Sequence, residues 1–456
     1  MATIESFTFR ESNQKLKTIA LVHEESNKKS KFETTIITGK NGSYKSTLLK
    51  QLVTSLLPQS QNQLASDLFD SHLNPDRHQV FCISGSPADR FPQKQIPRKL
   101  RSQFDIPQYT YVGQRVMNNL LSRKAPLETM LTSALAPKAV ERYNRNFFAA
   151  VHELVSIKPS VVYTIRLRGS VASRDLKAIS NDLHGELSRI TPEDDDLGGS
   201  RHRSLDLSYS MAQWILKEYS VDDFTILQDL ITRGAKRYLV TLDATGAHCE
   251  EVSTNILRLA LLLDIANLEG AEVTSIHSGL KYSALELSSG EYHIFSTILA
   301  LGFGLAAQSV LLIDEPENNL HPQWQRELME LVFEICTQVM SDGHAIICTH
   351  SPVIVGSALE GSSLVDLSND EPQVHIASYG ASTDELLLAQ FGIGSTRNRV
   401  VVDTVQQAVS YVERGDFENP NFEALVPQLR HIRNALTLED PMVVIIDALI
   451  NEESMK

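Results

Sequence analysis

The sequence predicts an α/β fold in which apolar strands lead directly into polar loops that contain candidate binding and catalytic residues. Residues 34–38 form a β-branched run that stops at Gly39 and gives way to a helical pattern from Lys45. Residues 309–313 and 345–349 are continuous apolar runs of strand length, and each leads into charged or polar residues. Such runs are typical of a parallel sheet buried on both faces, whose strands place binding residues at their carboxyl ends.

The loop between the first of these strands and its helix has the character of a phosphate-binding loop. Its free amides and the positive end of the helix dipole favour an anion. Lys45 is expected to reach the β- and γ-phosphates of ATP, and the Ser46 hydroxyl is expected to ligate Mg²⁺. Tyr44 stands where the pattern Gly-x-x-x-x-Gly-Lys-Ser has its last glycine. The predicted nucleotide-binding residues are Gly39, Lys40, Asn41, Gly42, Ser43, Tyr44, Lys45, Ser46 and Thr47.

A glycine loop of this kind also occurs by chance, so its assignment depends on groups elsewhere in the chain. Asp314 ends a buried strand, where it is predicted to hold hydrated magnesium, and Glu315 is predicted to orient or deprotonate the attacking water. His350 stands at the end of another strand and is expected to contact the γ-phosphate. Gln114 follows a further strand and is a candidate for contact with Mg²⁺ and water, with a plain surface role as the alternative.

A second anion cradle is predicted at residues 287–291, which read Leu-Ser-Ser-Gly-Glu and precede a helical run. Small residues and free amides at a helix start again favour a phosphate. One chain rarely needs two such cradles for one nucleotide. The second cradle is therefore predicted to face the γ-phosphate held by another copy, through Ser288, Ser289, Gly290 and Glu291.

Composition excludes several classes of protein. The 456 residues are 42% hydrophobic and 21% charged, which is typical of a globular chain rather than a disordered one. No apolar run approaches a bilayer span and no signal peptide is evident, so a cytoplasmic protein without membrane contact is expected. The net charge of −14 does not indicate a nucleic-acid binder. Because residues 94–101 form a basic cluster, binding of nucleic acid on one face of the protein, or through a partner, stays open.

The cysteines form no Cys-x-x-Cys pair, which argues against a zinc site and against a disulfide framework.

These motifs resemble those of the ABC-type ATPases. Residues 39–47 correspond to the family's Walker A motif, and Gln114 corresponds to its Q-loop. Residues 287–291 correspond to its signature, residues 311–315 to its Walker B motif and His350 to its switch histidine. Asp-Glu-Pro-Glu-Asn-Asn-Leu-His-Pro at 314–322 and Thr-His-Ser-Pro at 349–352 are similar to the soluble, RecF- and OLD-like members. The resemblance implies a P-loop ATPase head that uses ATP and Mg²⁺.

More narrowly, residues 83–92 and 380–398 resemble the PtuA family, the ATPase subunits of Septu antiphage systems, a form of which also accompanies some retrons. This resemblance implies a homo-oligomer, dimeric or higher, that assembles with an HNH-type nuclease subunit (PtuB-like). No nuclease constellation is recognised in the sequence itself. Two alternatives stay open: a RecF-like ATPase that acts on DNA directly, and a scaffold whose nucleotide is structural.

Four regions are predicted along the chain. The ATPase head is expected at residues 1–125 and 235–395, interrupted by a mainly helical insertion at 126–234. A small C-terminal element follows at 396–456, mostly helical with a strand-like run at 442–446, and it either docks a partner or closes the core. An apolar helix is expected at 255–268. Phe7 and Phe9, in a short hairpin, either stack on adenine or belong to the core.

Overall fold

The computed structural model describes residues 3–26, 30–57, 78–94, 104–117, 120–136, 146–167, 182–192, 205, 207–377, 399–416, 419–436 and 440–453. Its strands are β1 Ser6–Arg10, β2 Leu16–Ala20, β3 Phe32–Thr38, β4 Gln79–Ser84, β5 Tyr109–Val112, β6 Arg115–Met117, β7 Leu120–Leu121, β8 Ser160–Leu167, β9 Arg237–Asp243, β10 Gly246–His248, β11 Ala266–Thr274, β12 Lys281–Ser283, β13 Ser309–Asp314, β14 Gly343–Cys348, β15 Ser363–Asp366 and β16 Val374–Ile376. Its helices are α1 Lys45–Leu56, α2 Ala125–Ala134, α3 Asn146–Leu154, α4 Leu183–Ser188, α5 Tyr209–Glu218, α6 Val221–Thr232, α7 Thr254–Leu262, α8 Ser289–Gly304, α9 Pro322–Val339, α10 Pro352–Gly356, α11 Arg399–Glu413, α12 Pro420–Ala435 and α13 Pro441–Glu453.

A seven-stranded sheet with the order β16-β15-β3-β14-β13-β4-β5 carries the predicted motifs. All its neighbours pair in parallel except β15 and β16. Alternate residues of β13 and β14 enter two different apolar clusters, one on each face of the sheet. The predicted α/β class is therefore confirmed, and the carboxyl ends of β3, β13, β14 and β4 meet along one edge.

A second sheet shows that the predicted insertion is not made of helices alone. It has five antiparallel strands in the order β10-β9-β8-β11-β12. Strand β8 lies within residues 126–234, yet it pairs with β9 and β11 of the following region. Its sequence, Ser-Val-Val-Tyr-Thr-Ile-Arg-Leu, alternates buried and less buried residues with the period of a strand. The description of this region as mainly helical missed this strand.

Two local predictions are wrong. The helix expected at 255–268 ends at Leu262, because Asp264 adopts a left-handed conformation (φ 54°) and the chain then enters β11. The strand expected at 442–446 lies within α13, where Val443, Ile446 and Leu449 are buried at helical spacing. Of the basic cluster, Arg98, Lys99 and Arg101 lie outside the described residues, as does the stretch 380–398.

The N-terminal hairpin of β1 and β2 belongs to the core. Phe7 and Phe9 are 2% and 0% exposed and lie in one apolar cluster with Leu48 and Leu52 of α1. The core interpretation of these two rings is confirmed, and neither ring is free to stack on a base. The hairpin instead covers the helix that follows the phosphate loop.

Helices α11, α12 and α13 share an apolar core of their own. Val401, Leu429 and Ile446 are each buried in this cluster. An ion pair between Arg433 and Asp447, 2.9 Å between Nε and Oδ1, joins α12 to α13. None of the described helices combines the length and apolar character that crossing a membrane requires.

Candidate nucleotide-binding site

The loop after β3 needs glycine at two positions. Gly39 has φ 151° and Gly42 has φ 86°, which side-chain-bearing residues rarely adopt. A methyl group on Gly39 would also lie 2.4 Å from Ser43 Oγ. Both glycines therefore let the backbone turn sharply between the end of β3 and the start of α1, as a phosphate cradle requires.

Tyr44 occupies a backbone conformation that suits glycine. It caps α1 with φ 69° and ψ 18°, in the left-handed region, where an L-residue pays roughly 1–2 kcal/mol. Its ring packs against the apolar cluster formed with α1 and the N-terminal hairpin. The loop thus keeps the shape that the usual glycine gives, and the tyrosine is accommodated at the cost of strain.

Lys45 is the main countercharge at this edge of the sheet. It is 5% exposed, and its Nζ donates to the Gly39 carbonyl at 2.9 Å and to the Lys40 carbonyl at 3.4 Å. Burial lowers the pKa of its ammonium, whereas nearby acidic groups, among them Asp314 and Glu315, favour the charged form. The ammonium is therefore held without full hydration at the place where a polyphosphate would bring negative charge.

Asp314 and Ser46 fit a magnesium ion. The Ser46 hydroxyl lies near enough to the Asp314 carboxyl group to act against the rise of its pKa, while Asp314 Oδ1 is buried with no hydrogen-bond partner among the described residues. Burial raises the pKa of this carboxyl group to about 7. Mg²⁺ at nucleotide sites takes one or two protein oxygens, with phosphates and water as its other ligands. A hydroxyl beside an orphaned carboxylate oxygen meets that requirement.

Glu315 is oriented as a general base would be. Its backbone is left-handed (φ 51°), and its Oε2 accepts a hydrogen bond from Asn318 Nδ2 at 2.8 Å. Its Oε1 lies 3.8 Å from His350 Nε2. Asn318 lies inside the 314–322 motif, but no sequence pattern indicated that it would hydrogen-bond to Glu315.

His350 lies between the lysine and the glutamate. Lys45 Nζ is 3.5 Å from His350 Nδ1, and an ammonium can only donate, so Nδ1 accepts and Nε2 carries the proton that faces Glu315. Burial, followed by the charge of Lys45, lowers the pKa of His350. Its backbone N–H donates to Glu317 Oε1 at 2.6 Å. The structure thus brings Lys45, Asp314, Glu315 and His350 together, as the motifs predicted.

The second cradle lies at the start of α8, beside Asn319. Ser288 and Glu291 form a capping box at the start of α8: Ser288 N–H donates to Glu291 Oε2 at 2.8 Å, and Glu291 N–H donates to Ser288 Oγ at 3.3 Å. Gly290 is buried, and a methyl group on it would lie 2.9 Å from the Asn319 carbonyl oxygen. The Glu291 carboxylate therefore holds the turn, and its predicted contact with nucleotide stays a prediction.

Ser288 and Ser289 are exposed and line a cavity of about 520 Å³. Gln114 lines the same cavity, and none of residues 39–47, all of which are described, contributes to it. The structure therefore groups Gln114 with the second cradle rather than with the phosphate loop. Its proposed contact with Mg²⁺ stays a prediction.

We predict that Asp314→Asn stabilises the protein in the absence of nucleotide and Mg²⁺. A carboxyl group whose folded pKa is raised to about 7 destabilises the fold once it ionises, so stability is lost as pH rises from about 4 through 7. The advantage of the variant over wild type should grow from pH 5 to pH 8, reaching on the order of 1–4 kcal/mol. Denaturant unfolding at both pH values measures it, with exposed Asp370→Asn as the control. An advantage that does not change with pH would contradict the prediction.

We predict that Tyr44→Gly raises ATP turnover several-fold without greatly changing ATP affinity, because glycine restores backbone freedom beside the γ-phosphate. Tyr44→Ala is the matched control, since it removes the ring but keeps the Cβ that strains the left-handed conformation. Steady-state turnover of the three proteins decides the point. A glycine variant no faster than wild type would show that the tyrosine does not slow the reaction.

Comparisons with known proteins agree with the motifs. The family model described as "AAA domain, putative AbiEii toxin, Type IV TA system" matches residues 245–356, which include the second cradle, Asp314, Glu315 and His350. The Septu protein PtuA of Bacillus thuringiensis is 28% identical over 109 residues, which are 22% of this chain and 26% of that protein. The match thus spans about a quarter of that relative.

Solved structures with similarity to the chain include two Smc heads, each 14% identical over 82% of this chain and 96% of the other. One is bound to the C-winged helix domain of ScpA, with a TM-score of 0.27. The other, bound to the C-terminal domain of ScpA derived from Pyrococcus furiosus, has an extended coiled coil and a TM-score of 0.30. The sequence and family matches confirm the predicted resemblance to PtuA-like, ABC-type ATPases.

Proposed function

We propose that the chain is the ATPase subunit of an antiphage defence complex, which binds ATP and Mg²⁺ between two protomers and controls an HNH-type nuclease partner. The observation that carries the proposal is the division of the motifs. Lys45, Asp314, Glu315 and His350 lie together at one edge of the parallel sheet, whereas the second cradle lines a cavity to which none of residues 39–47 contributes. This division supports an ATP site that two protomers complete together.

The first half has groups for binding and for hydrolysis. The loop amides and Lys45 would bind the phosphates, and Ser46 with Asp314 would hold Mg²⁺, which neutralises charge on the phosphate oxygens. Glu315 accepts a proton from the attacking water through the oxygen that is not bonded to Asn318. His350, with its proton on Nε2, faces that carboxylate and restricts its orientation.

The second half is the cradle at the start of α8. Helix α8 is 16 residues long, so its first turn presents free amides and about half a positive charge. Ser288 and Ser289 are exposed beside it. A phosphate held by another protomer would bring the negative charge that this position favours, and such sharing would make a dimer depend on ATP.

The nuclease part of the proposal rests on the similarity to a Septu protein and on the C-terminal helices. These helices have their own core, and α13 exposes Val444 and Ile445, which are 73% and 43% accessible. We propose that this face docks the nuclease, and that the complex is cytoplasmic and reaches nucleic acid through that partner. A RecF-like ATPase would instead be stimulated directly by DNA, which an assay without the nuclease distinguishes.

We predict that Glu315→Gln binds ATP with near wild-type affinity but hydrolyses it roughly 10²- to 10⁴-fold more slowly, since an amide cannot accept the proton. Labelled-ATP binding and phosphate release measure the two effects, and Glu330→Gln, an exposed position on α9, serves as the control. Wild-type hydrolysis by Glu315→Gln would place the base elsewhere, with His350 as the next candidate.

We predict that Ser289→Arg leaves ATP binding by one subunit largely intact but blocks hydrolysis and ATP-dependent association. Lys45→Ala should lose ATP binding, because the phosphates lose their main countercharge. In a mixed dimer, one site has both lesions and the other has neither. A 1:1 mixture should therefore recover up to about a quarter of wild-type activity if the two equivalent sites act independently. An inactive mixture, with mixed dimers verified, would contradict independent shared sites.

A further inference from the structure

None of the roles proposed above involves the loop at residues 84–92, Ser-Gly-Ser-Pro-Ala-Asp-Arg-Phe-Pro, whose first residues line the same cavity as Ser288 and Gln114. It follows β4, which lies beside β13 in the parallel sheet. Its first turn is fixed locally, because Ser84 Oγ donates to the Ser86 carbonyl at 2.7 Å and accepts from Ser86 N–H at 3.1 Å. The loop therefore leaves the sheet at the edge where Asp314 and Glu315 lie.

Gly85 touches the backbone that carries the proposed base. Its N–H donates to the Asp314 carbonyl at 2.9 Å, and a methyl group at Gly85 would lie 2.0 Å from the Glu315 carbonyl oxygen. Gly85 is not among the glycines with positive φ, so other residues can adopt its conformation. The glycine is required here because the two backbones approach so closely.

Asp89 attaches the same loop to the turn that contains Gln114. Asp89 is 4% exposed. Its carboxylate accepts hydrogen bonds from Arg115 Nη2 at 2.9 Å and from the Tyr111 hydroxyl at 2.7 Å. Arg115 also donates to the Phe91 carbonyl. Removing one partner of such a buried pair leaves the other charge uncompensated, so the loop and the turn are held as one unit.

Arg90 links the loop to the phosphate loop. Its Nη1 donates to Thr47 Oγ1, in the first turn of α1, at 2.7 Å. The loop at 84–92 thus has direct contacts with the helix after the phosphate loop, with the Asp314–Glu315 backbone and with the residue after Gln114. These three places come from separate parts of the sequence.

We propose that the loop at 84–92 positions the hydrolytic carboxylate, with Gly85 as the positioning residue that sets the backbone of Glu315. The Asp89–Arg115 pair and the Arg90–Thr47 hydrogen bond hold the contact between Gly85 and Glu315 at a fixed position relative to the phosphate loop. This inference rests on the proposed ATPase function. A methyl group at Gly85 must displace the Glu315 backbone by on the order of 1 Å, and a misplacement of that size can cost about 10²-fold in rate.

The test is Gly85→Ala in the full-length protein. ATP turnover should fall about 10- to 100-fold, while the KM for ATP should change less than about twofold, because binding uses the phosphate loop. Gly343→Ala is the matched control: its methyl group would lie 2.6 Å from the Ser309 carbonyl oxygen, at the opposite end of β13. That variant should lose thermal stability and keep its turnover.

A double-mutant cycle separates positioning from a general structural effect. If Gly85 acts through Glu315, Gly85→Ala should add little to the loss already caused by Glu315→Gln in single-turnover hydrolysis. The same fold-loss in both backgrounds would overturn the proposal. If Gly85→Ala does not fold, Asp89→Asn tests the same loop: its turnover should fall several-fold at unchanged ATP affinity, and wild-type turnover would overturn the proposal.

The outcomes also distinguish this inference from the proposed function. Wild-type protein that hydrolyses ATP, together with a Gly85→Ala variant that hydrolyses it equally fast, would overturn the inference alone. Wild-type protein that binds ATP but shows no hydrolysis above Glu315→Gln would overturn the ATPase function and this inference with it.

Discussion

The site depends on one buried cation held among acidic groups at the carboxyl ends of parallel strands. Lys45 lies beside Asp314, Glu315 and Glu317, and burial alone lowers its pKa while these neighbours favour its charge. An isolated charge in such surroundings would be strongly destabilising, so the cluster must stay assembled. The sheet assembles it: Ile37 pairs with Cys348, and Cys348 pairs with Asp314, so the ends of β3, β14 and β13 lie level.

The same edge of the sheet concentrates strain. Tyr44, Glu315 and Asn319 are all left-handed without being glycine, with φ of 69°, 51° and 64°. Each such residue costs of order 1–3 kcal/mol and persists only where its surroundings fix it. Tyr44 is fixed by apolar packing, and Glu315 by Asn318 and by the close approach of Gly85. This strain and the orphaned oxygen of Asp314 each act against the stability of the nucleotide-free site.

The sequence predicted the parts of the site whose signals are local. An apolar strand followed by a glycine loop, an Asp-Glu pair or a histidine can be recognised in one short window, so the positions of the glycine loop, Asp314, Glu315 and His350 at strand ends could be predicted. Short apolar runs are ambiguous between strand and helix, which explains why residues 442–446 were assigned to the wrong class. Strand β8 was missed because its alternation of buried and less buried residues lies between segments with helical patterns.

Contacts between distant segments could not be predicted in this way. Gly85 meets Glu315, and Asp89 meets Arg115, because β4 lies between β13 and β5 in the sheet. Neither the order of these strands in the sheet nor the register in which they pair can be predicted from the sequence of any single segment. The separation of the second cradle from the phosphate loop has the same origin, since it follows from where α8 lies and not from the sequence of either loop.

The proposed mechanism depends on ATP being shared between two protomers. A crystal structure of Glu315→Gln with ATP and Mg²⁺ bound tests this sharing directly. We expect the γ-phosphate held by Lys45 of one protomer to contact Ser289 and the first amides of α8 in the other. A structure in which that phosphate is surrounded only by its own chain, with Ser289 facing solvent, would contradict it.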